Sequence, residues 1–158
     1  NVYLGEKILI AKGCEIRPGA FLRENVYAGE GSVLGNSCEF KNVVLFPHVQ
    51  TPHYNYVGDS ILGAYSHLGA AALTSNVKSD KTLVKLHFED GDAETGLKKL
   101  GAILSDNVEV GCQSVLNPGT IIFSNTNVYP LSSVRGIIPG GMIYKGQNRL
   151  VKKRGESE

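Results

Sequence analysis

Four histidines, His48, His53, His67 and His87, are the side chains of this 158-residue chain best suited to moving protons near neutral pH, because a free imidazole titrates at about 6.5. His53 stands apart from the other three. It lies in the run Pro52-His53-Tyr54-Asn55, where the surrounding pattern breaks and a side chain leaves the regular inward and outward alternation to aim into a cleft. A neutral imidazole so placed is a natural general base. A hydrogen-bonded structural histidine at a corner is the competing reading from spacing alone. His67 falls at the polar end of a repeat, where a surface role is equally expected, and His48 and His87 carry little signal individually.

Three cysteines, Cys14, Cys38 and Cys112, form no CxxC pair and are odd in number. They read as small buried apolar residues in a reducing compartment rather than as a disulfide framework or a zinc knuckle. Sixteen Lys and Arg against fifteen Asp and Glu leave a formal charge of +1, which argues against broad electrostatic binding of nucleic acid or membrane. No apolar run approaches the roughly 20 residues of a membrane span, and no basic segment precedes an apolar one. The expectation is a soluble cytoplasmic protein. The first residue is Asn1, already in mid-pattern, which suggests a piece of something longer.

The elements that must position these groups follow from a period of six. From Leu4 every sixth residue is apolar: Leu4, Ile10, Ile16, Leu22, Ala28, Leu34, Phe40, Phe46. Four positions further on come Ile8, Cys14, Ala20, Val26, Ser32, Cys38, Val44 and Gln50, nearly all small or β-branched. The frame slips by four residues at Pro52 to Asn55 and resumes with Tyr56, Leu62 and Leu68. It resumes again with Leu104, Val110, Leu116, Ile122, Val128 and Val134, for 17 hexads in all.

A period of six fits neither a helix nor a hairpin meander. It fits a short strand followed by a tight corner, with one large apolar and one small residue pointing inward. Three hexads close a triangular coil, so residues 18 apart stack. At about 4.8 Å per strand, nearly six coils form a prism roughly 27 Å long. The abundance of glycine (19 residues) and the absence of Trp suit such coils and corners. The predicted fold is therefore all-β, a single parallel β-helix domain over 1–145, with a tail over 146–158. One long excursion interrupts it at about 77–100, rich in charge and carrying Lys78, Lys81, Lys85, His87, Lys98 and Lys99. Loops of that length inside a compact domain are usually functional or disordered; this one is expected to order against a partner chain or ligand, a mobile surface excursion being the competing reading.

The hexads resemble those of the hexapeptide-repeat family. The resemblance implies a left-handed helix that forms homotrimers with sites between neighbouring prisms. Three stretches sharpen it: Cys38-Glu39-Phe40-Lys41-Asn42, then Pro52-His53-Tyr54-Asn55-Tyr56-Val57-Gly58-Asp59-Ser60, then Leu68-Gly69-Ala70-Ala71 with Asn76. Together with the run from Thr95 to Val108, they resemble the acetyltransferase domain of the bifunctional sugar-1-phosphate nucleotidylyltransferases, the archaeal type especially. That resemblance implies acetyl-CoA-dependent N-acetylation of an amino-sugar phosphate such as glucosamine-1-phosphate, in the pathway to UDP-N-acetylglucosamine, with no metal.

By the same resemblance His53 is the general base, Arg17 and Lys41 hold the sugar phosphate, and Tyr56 and Asn76 orient the sugar or the thioester carbonyl. Lys85 matches a lysine of the archaeal loop. Arg17, Lys41 and Lys85 are expected to converge near His53. Acetyl-CoA is expected along later grooves where the small residues Ala71, Ala72, Cys112 and Ser114 allow close backbone approach, with Lys152-Lys153-Arg154 available to a CoA phosphate. Bacterial members of the family have Asn where this chain has His67 and an aromatic where it has Val77. The Gly-rich nucleotidyltransferase signature is absent from this sequence, so that half-reaction is not expected of it.

Two other readings stay open. His48 and His53 share the five-residue separation of two metal ligands in γ-type carbonic anhydrases, although no third ligand or Arg-Gly-Asp element matches. A non-catalytic β-helix scaffold that binds sugar nucleotides is the other.

Overall fold

The structure, a computed structural model, describes residues 1–147 and 149–153. Short parallel strands stack into a left-handed β-helix of triangular section. Three inward columns form its core. The first face stacks Leu4, Leu22, Phe40, Val57, Thr74, Leu116 and Val134. The second stacks Ile10, Ala28, Leu45, Leu62, Leu104, Ile122 and Ile138. The third stacks Ile16, Leu34, Thr51, Leu68, Val110, Val128 and Tyr144. Each face thus has seven rungs rather than nearly six. From the second rung onward the columns are buried, whereas Leu4 at the open end is 54% exposed.

Four expected inward residues are not inward: Phe46 and Tyr56 of the large column, and Val44 and Gln50 of the small one, where Val43 and Val49 are buried instead. Phe46 is 46% exposed and Tyr56 half-buried, while their neighbours Leu45 and Val57 are fully buried in their place. The cause is at the corners. Each coil turns three times through a residue in the left-handed region, and these recur six apart: Lys7, Gly13, Gly19, Asn25, Gly31, Ser37. The next intervals, Ser37 to Asn42 and Tyr54 to Asp59, are five. Two shortened corners therefore advance the frame by one residue each, and no four-residue slip occurs at Pro52 to Asn55. That stretch is a regular corner. Asn and Asp tolerate the left-handed conformation, whereas Tyr54 and Tyr65 adopt it at about 1 kcal/mol or more each.

The excursion leaves after Thr74 and returns before Leu104 without disturbing the stack: Leu104 pairs directly with Leu62, and Leu116 with Thr74. It contains an antiparallel hairpin, Lys85–Phe88 with Gly91–Glu94. Val84 anchors it, 1% exposed, with its amide donating to the Leu97 carbonyl at 2.8 Å. A Cβ on Gly119 would lie 2.9 Å from the Val84 side chain, so the hairpin rests on the later coils. At the far end, Leu150–Lys152, expected to be part of the tail, folds back antiparallel onto Met142–Tyr144. The last rung is thereby closed by backbone pairing, which removes an open strand edge.

The second face is unusual on its outside as well. Its outward column reads Leu9, Tyr27, Val44, Ile61, Ile103, Ile121 and Ile137. Phe46 and Phe123 flank it, both exposed.

Candidate functional site

His53 ends the strand Gln50–His53, at the corner where the third face turns into the first. Tyr54 takes the left-handed conformation (φ 52°) that makes the turn. Asn55, 2% exposed, holds it from inside. Its Oδ1 accepts from the His53 amide at 3.1 Å, and its Nδ2 donates to the carbonyls of Gly69 (2.8 Å) and Ala72 (2.9 Å) on the next coil. The His53 carbonyl in turn accepts from the Ala71 amide at 3.0 Å. On the other side, a Cβ at Gly35 would sit 2.0 Å from the Pro52 oxygen, so only glycine lets these rungs approach. Among the described residues the His53 imidazole has no hydrogen-bond partner, and it is exposed. A corner hydrogen-bonded to the next coil thus presents the imidazole at the surface.

The same corner carries Arg17, two rungs away, at about 10 Å by strand spacing. Its guanidinium grips Glu15 with Nε at 2.9 Å and an Nη at 3.3 Å. That hydrogen bond raises the arginine pKa and lowers that of Glu15. In the opposite direction the corner continues through Ala71 and Cys112. Cys112 is exposed and Ala71 half-buried, whereas Ala72 and Ser114 point into the core with no exposed surface. The last two meet no ligand with their side chains; Ser114 Oγ instead donates to the Tyr129 carbonyl at 3.2 Å.

The opposite edge of the first face holds a polar ladder. Asn25, Asn42 and Asp59 are left-handed corner residues stacked 17 apart. Asn25 Nδ2 donates to Asn42 Oδ1 at 2.7 Å, Asn42 Nδ2 to Asp59 Oδ1 at 2.8 Å, and Asn76 Nδ2 closes the series onto the other Asp59 oxygen. The same Asn76 amide reaches Tyr56 Oη at 3.1 Å, the Tyr56 ring lying back over Gly58. Tyr56 and Asn76 are therefore brought together. Lys41, with 14% of its side chain exposed, lies one rung from Tyr56 and 3.8 Å from Glu24; nearby, Arg23 pairs with Glu39 at 2.9 Å.

The expected convergence of cations on His53 does not occur within one chain. Lys85 pairs with Glu94 at 3.0 Å on a hairpin that packs against Gly119, at the polar-ladder edge of the first face. The periodicity describes the coils and says nothing about where an insertion folds. The histidines also separate. His48 sits at the far end of the rung that ends in His53 and stacks on Tyr65 at 4.8 Å, so the two do not face one ion. His67 pairs with Glu109 at 2.9 Å and His87 with Asp92 at 2.8 Å.

Of the cysteines, only Cys38 is fully buried, and burial pushes its thiol pKa up. Cys14 is half-buried and Cys112 exposed, a correction to three buried thiols. Lys152 ends the returning strand, while Arg154 lies outside the described residues. Sequence reasoning passed over Asn55, Asn42 and Asp59 as working residues. The 17-residue recurrence of Asn25, Asn42, Asp59 and Asn76 was the signal for the ladder.

Comparison with known proteins agrees with this architecture. The bifunctional protein GlmU of Methanococcus vannielii is 34% identical over 140 residues, covering 88% of this chain and 34% of that protein. The bifunctional sugar-1-phosphate nucleotidylyltransferase/acetyltransferase of Sulfurisphaera tokodaii is 31% identical over 163 residues, 92% of this chain and 41% of that protein. The chain thus spans about a third to two fifths of the length of these curated relatives. Among solved structures, a variant of the N-acyltransferase AntD from Bacillus cereus, in complex with dTDP-4-amino-4,6-dideoxyglucose and coenzyme A, superposes with a TM-score of 0.64 at 14% identity. The match covers 96% of this chain and 86% of that one, and shows the shared fold. The family described as "GMPPB C-terminal domain" matches residues 4–138, nearly the whole β-helix, and the chain belongs to that family.

Proposed function

We propose that this chain is an acetyl-CoA-dependent N-acetyltransferase acting on an amino-sugar phosphate such as glucosamine-1-phosphate, with His53 as general base. The observation that carries the reading is the exposed His53 imidazole, without a hydrogen-bond partner among the described residues, on a corner held by Asn55. Support comes from the GlmU relatives and from AntD, whose complex holds an amino sugar nucleotide and coenzyme A. In the step proposed, the substrate amine forms a bond to the thioester carbonyl carbon while His53 takes its proton. The C–S bond then breaks and the proton passes to the departing thiolate. A positioned base of this kind contributes about 10² to 10⁴ in rate.

Lys41 and Arg17 are assigned to the sugar phosphate, Arg17 by exchanging Glu15 for the ligand, since a guanidinium fork suits phosphate as well as carboxylate. Tyr56 and Asn76 act as a hydrogen-bonded pair toward the sugar or the carbonyl. For the thioester end of acetyl-CoA the assignment narrows to Ala71 and Cys112 at the surface, with backbone approach at Ala72 and Ser114, and the phosphate end is left to another part of the surface.

The assembly we propose is a homotrimer packed through the outward apolar column of the second face. Lys85 stays on the polar-ladder edge beside that face, apart from His53. Nucleotidyltransfer is not assigned to this chain, and pyrophosphate release from UTP and a sugar phosphate would overturn that. Cytoplasmic placement belongs to the same proposal; among the described residues no helix is long and apolar enough to cross a membrane.

The separation of Lys85 from His53 favours a second reading, a non-catalytic sugar-nucleotide-binding scaffold. One assay separates the two. Acetyl transfer from acetyl-CoA to a panel of amino-sugar phosphates is measured for the parent and for His53→Ala. The catalytic reading expects transfer in the parent and a loss of at least 100-fold in the variant. No transfer in the parent, or equal transfer in both, leaves the scaffold.

A further inference from the structure

The base of the excursion holds cations that no assigned role uses. Two clefts meet at Val77. One, of about 480 Å³, is lined by Val77, Lys81, Lys98 and Lys99. The other, of about 340 Å³, is lined by Ser75, Val77, Lys78, Asp80, Asn117 and Arg135 among others. Leu100 donates to the Asn76 carbonyl at 3.0 Å, which sets Lys98 and Lys99 close to the end of the polar ladder.

The charge balance of the two clefts decides what they suit. Lys78 is occupied: its Nζ donates to Thr82 Oγ1 at 2.6 Å and lies 3.5 Å from Asp80. Asp80 is the carboxylate lining them, and Asp59 at the ladder's end is taken up by Asn42 and Asn76. Hydrogen bonds from the Thr82 amide (3.0 Å) and hydroxyl (2.8 Å) lower the Asp80 pKa, so it stays ionised opposite Lys78. Lys85, beyond, is occupied by Glu94. Arg135 has no carboxylate partner among the described residues and touches only Asn117 Oδ1, at 3.5 Å. Lys81, Lys98 and Lys99 likewise have no ion pair among the described residues. A guanidinium on one side of Val77 and three ammonium groups on the other remain for an anion that reaches both.

We propose that these paired clefts bind the phosphates of a diphosphate ester, Arg135 taking one phosphate locus and Lys81, Lys98 and Lys99 the other. Guanidinium and ammonium groups are the usual partners of phosphate oxygens, Arg in a fork and Lys as a point charge. Two ligand sources share this chemistry, a coenzyme A donor with its diphosphate and separate phosphomonoester, and a nucleoside diphosphate. The coenzyme A arm rests on the acetyltransferase reading; the site itself does not.

Binding of coenzyme A, UDP and inorganic phosphate to the full chain is measured by calorimetry, for the parent, Arg135→Gln and the double variant Lys98→Gln/Lys99→Gln. These exposed substitutions leave the core intact, which far-ultraviolet circular dichroism verifies. Coenzyme A affinity lowered about 10-fold or more in both variants supports the proposal and a donor site. UDP affinity lowered in this way, with no coenzyme A binding in the parent, supports the clefts as a nucleotide site and counts against the donor assignment alone. The proposal is overturned if the parent binds neither diphosphate ester, if inorganic phosphate binds as well as they do, or if both variants match the parent. His53→Ala is run alongside, and it is expected to keep coenzyme A binding while losing transfer, so failure of the clefts and failure of the catalytic reading give different results.

Discussion

Asn42 donates its side-chain amide to Asp59, 17 residues later and one coil further along, at 2.8 Å. Asp59 is the hub of the ladder, since its other oxygen receives Asn76, which also holds Tyr56. Asp59→Ala leaves two amides without their acceptor and puts alanine in the left-handed conformation. The expected loss is about 2–4 kcal/mol, and Asp59→Asn, which tolerates that conformation, loses less. Urea unfolding midpoints for the three proteins check the order.

Asn55 is the positioning residue behind His53. Asn55→Ala removes the partner of the Ala72 carbonyl and of the His53 amide and one of the two donors to the Gly69 carbonyl, which keeps the Ala72 amide, and a destabilisation of about 2–3 kcal/mol is expected. If His53 is the base, kcat falls while the Michaelis constant for the sugar changes little. Asn55→Asp keeps the acceptor for His53 but turns a carboxylate toward two carbonyls, so it should be no better folded than the alanine variant.

The thiols should react in the order of their exposure. Cys112 is labelled first by a neutral alkylating reagent, and Cys38 only on unfolding, because burial keeps its thiol protonated. Mass spectrometry of partially labelled protein reads this directly. Folded Cys38 holds its proton to higher pH than the unfolded thiol does. That share of stability is therefore present below the ordinary thiol range and is lost as pH rises through it.

Acid should loosen the excursion's base before the coils. The Asp80 pKa is lowered, chiefly by the Thr82 amide and then its hydroxyl, so its contribution is present above the ordinary carboxylate range and lost as pH falls through the folded value. Hydrogen exchange of the Thr82 amide, compared between neutral pH and pH about 3 after correction for intrinsic rate, should show lost protection. Unchanged protection would mean the turn is held by something else.

The trimer proposal predicts that Ile61→Glu with Ile121→Glu, both on the outward apolar column, yields a folded monomer by light scattering. A parent that is already monomeric, or a variant that stays trimeric, removes the second face as the interface.

Most of the coil architecture is legible in six-residue periodicity, since Leu22, Leu34, Leu62, Leu104 and Leu116 all sit where counting places them. Counting fails at Phe46 and Tyr56 because each adjoins another apolar residue, Leu45 and Val57, and hydrophobicity alone does not choose between neighbours. The left-handed corners choose, and their clue was the Asn and Asp recurrence rather than the apolar one. Of the site, Tyr56 and Asn76 are each named by family resemblance, whereas their hydrogen bond to one another is visible only in the structure. Lys85 lies away from His53 within one chain because an insertion's direction is set by what Val84 packs on, and Asn55 was hidden because a buried amide serving its own backbone looks like any turn residue.

The direct stacking of Leu62 on Leu104 makes the excursion a side branch on an unbroken trunk. Its ends emerge from neighbouring points, so chain grafted or pruned there shifts no rung above or below. Loop closure grows only logarithmically with length, and the trunk can therefore carry branches of very different size at nearly the same energy. Divergence in ligand preference among such prisms is then expected to concentrate in the branch, with the corner bearing His53 left alone.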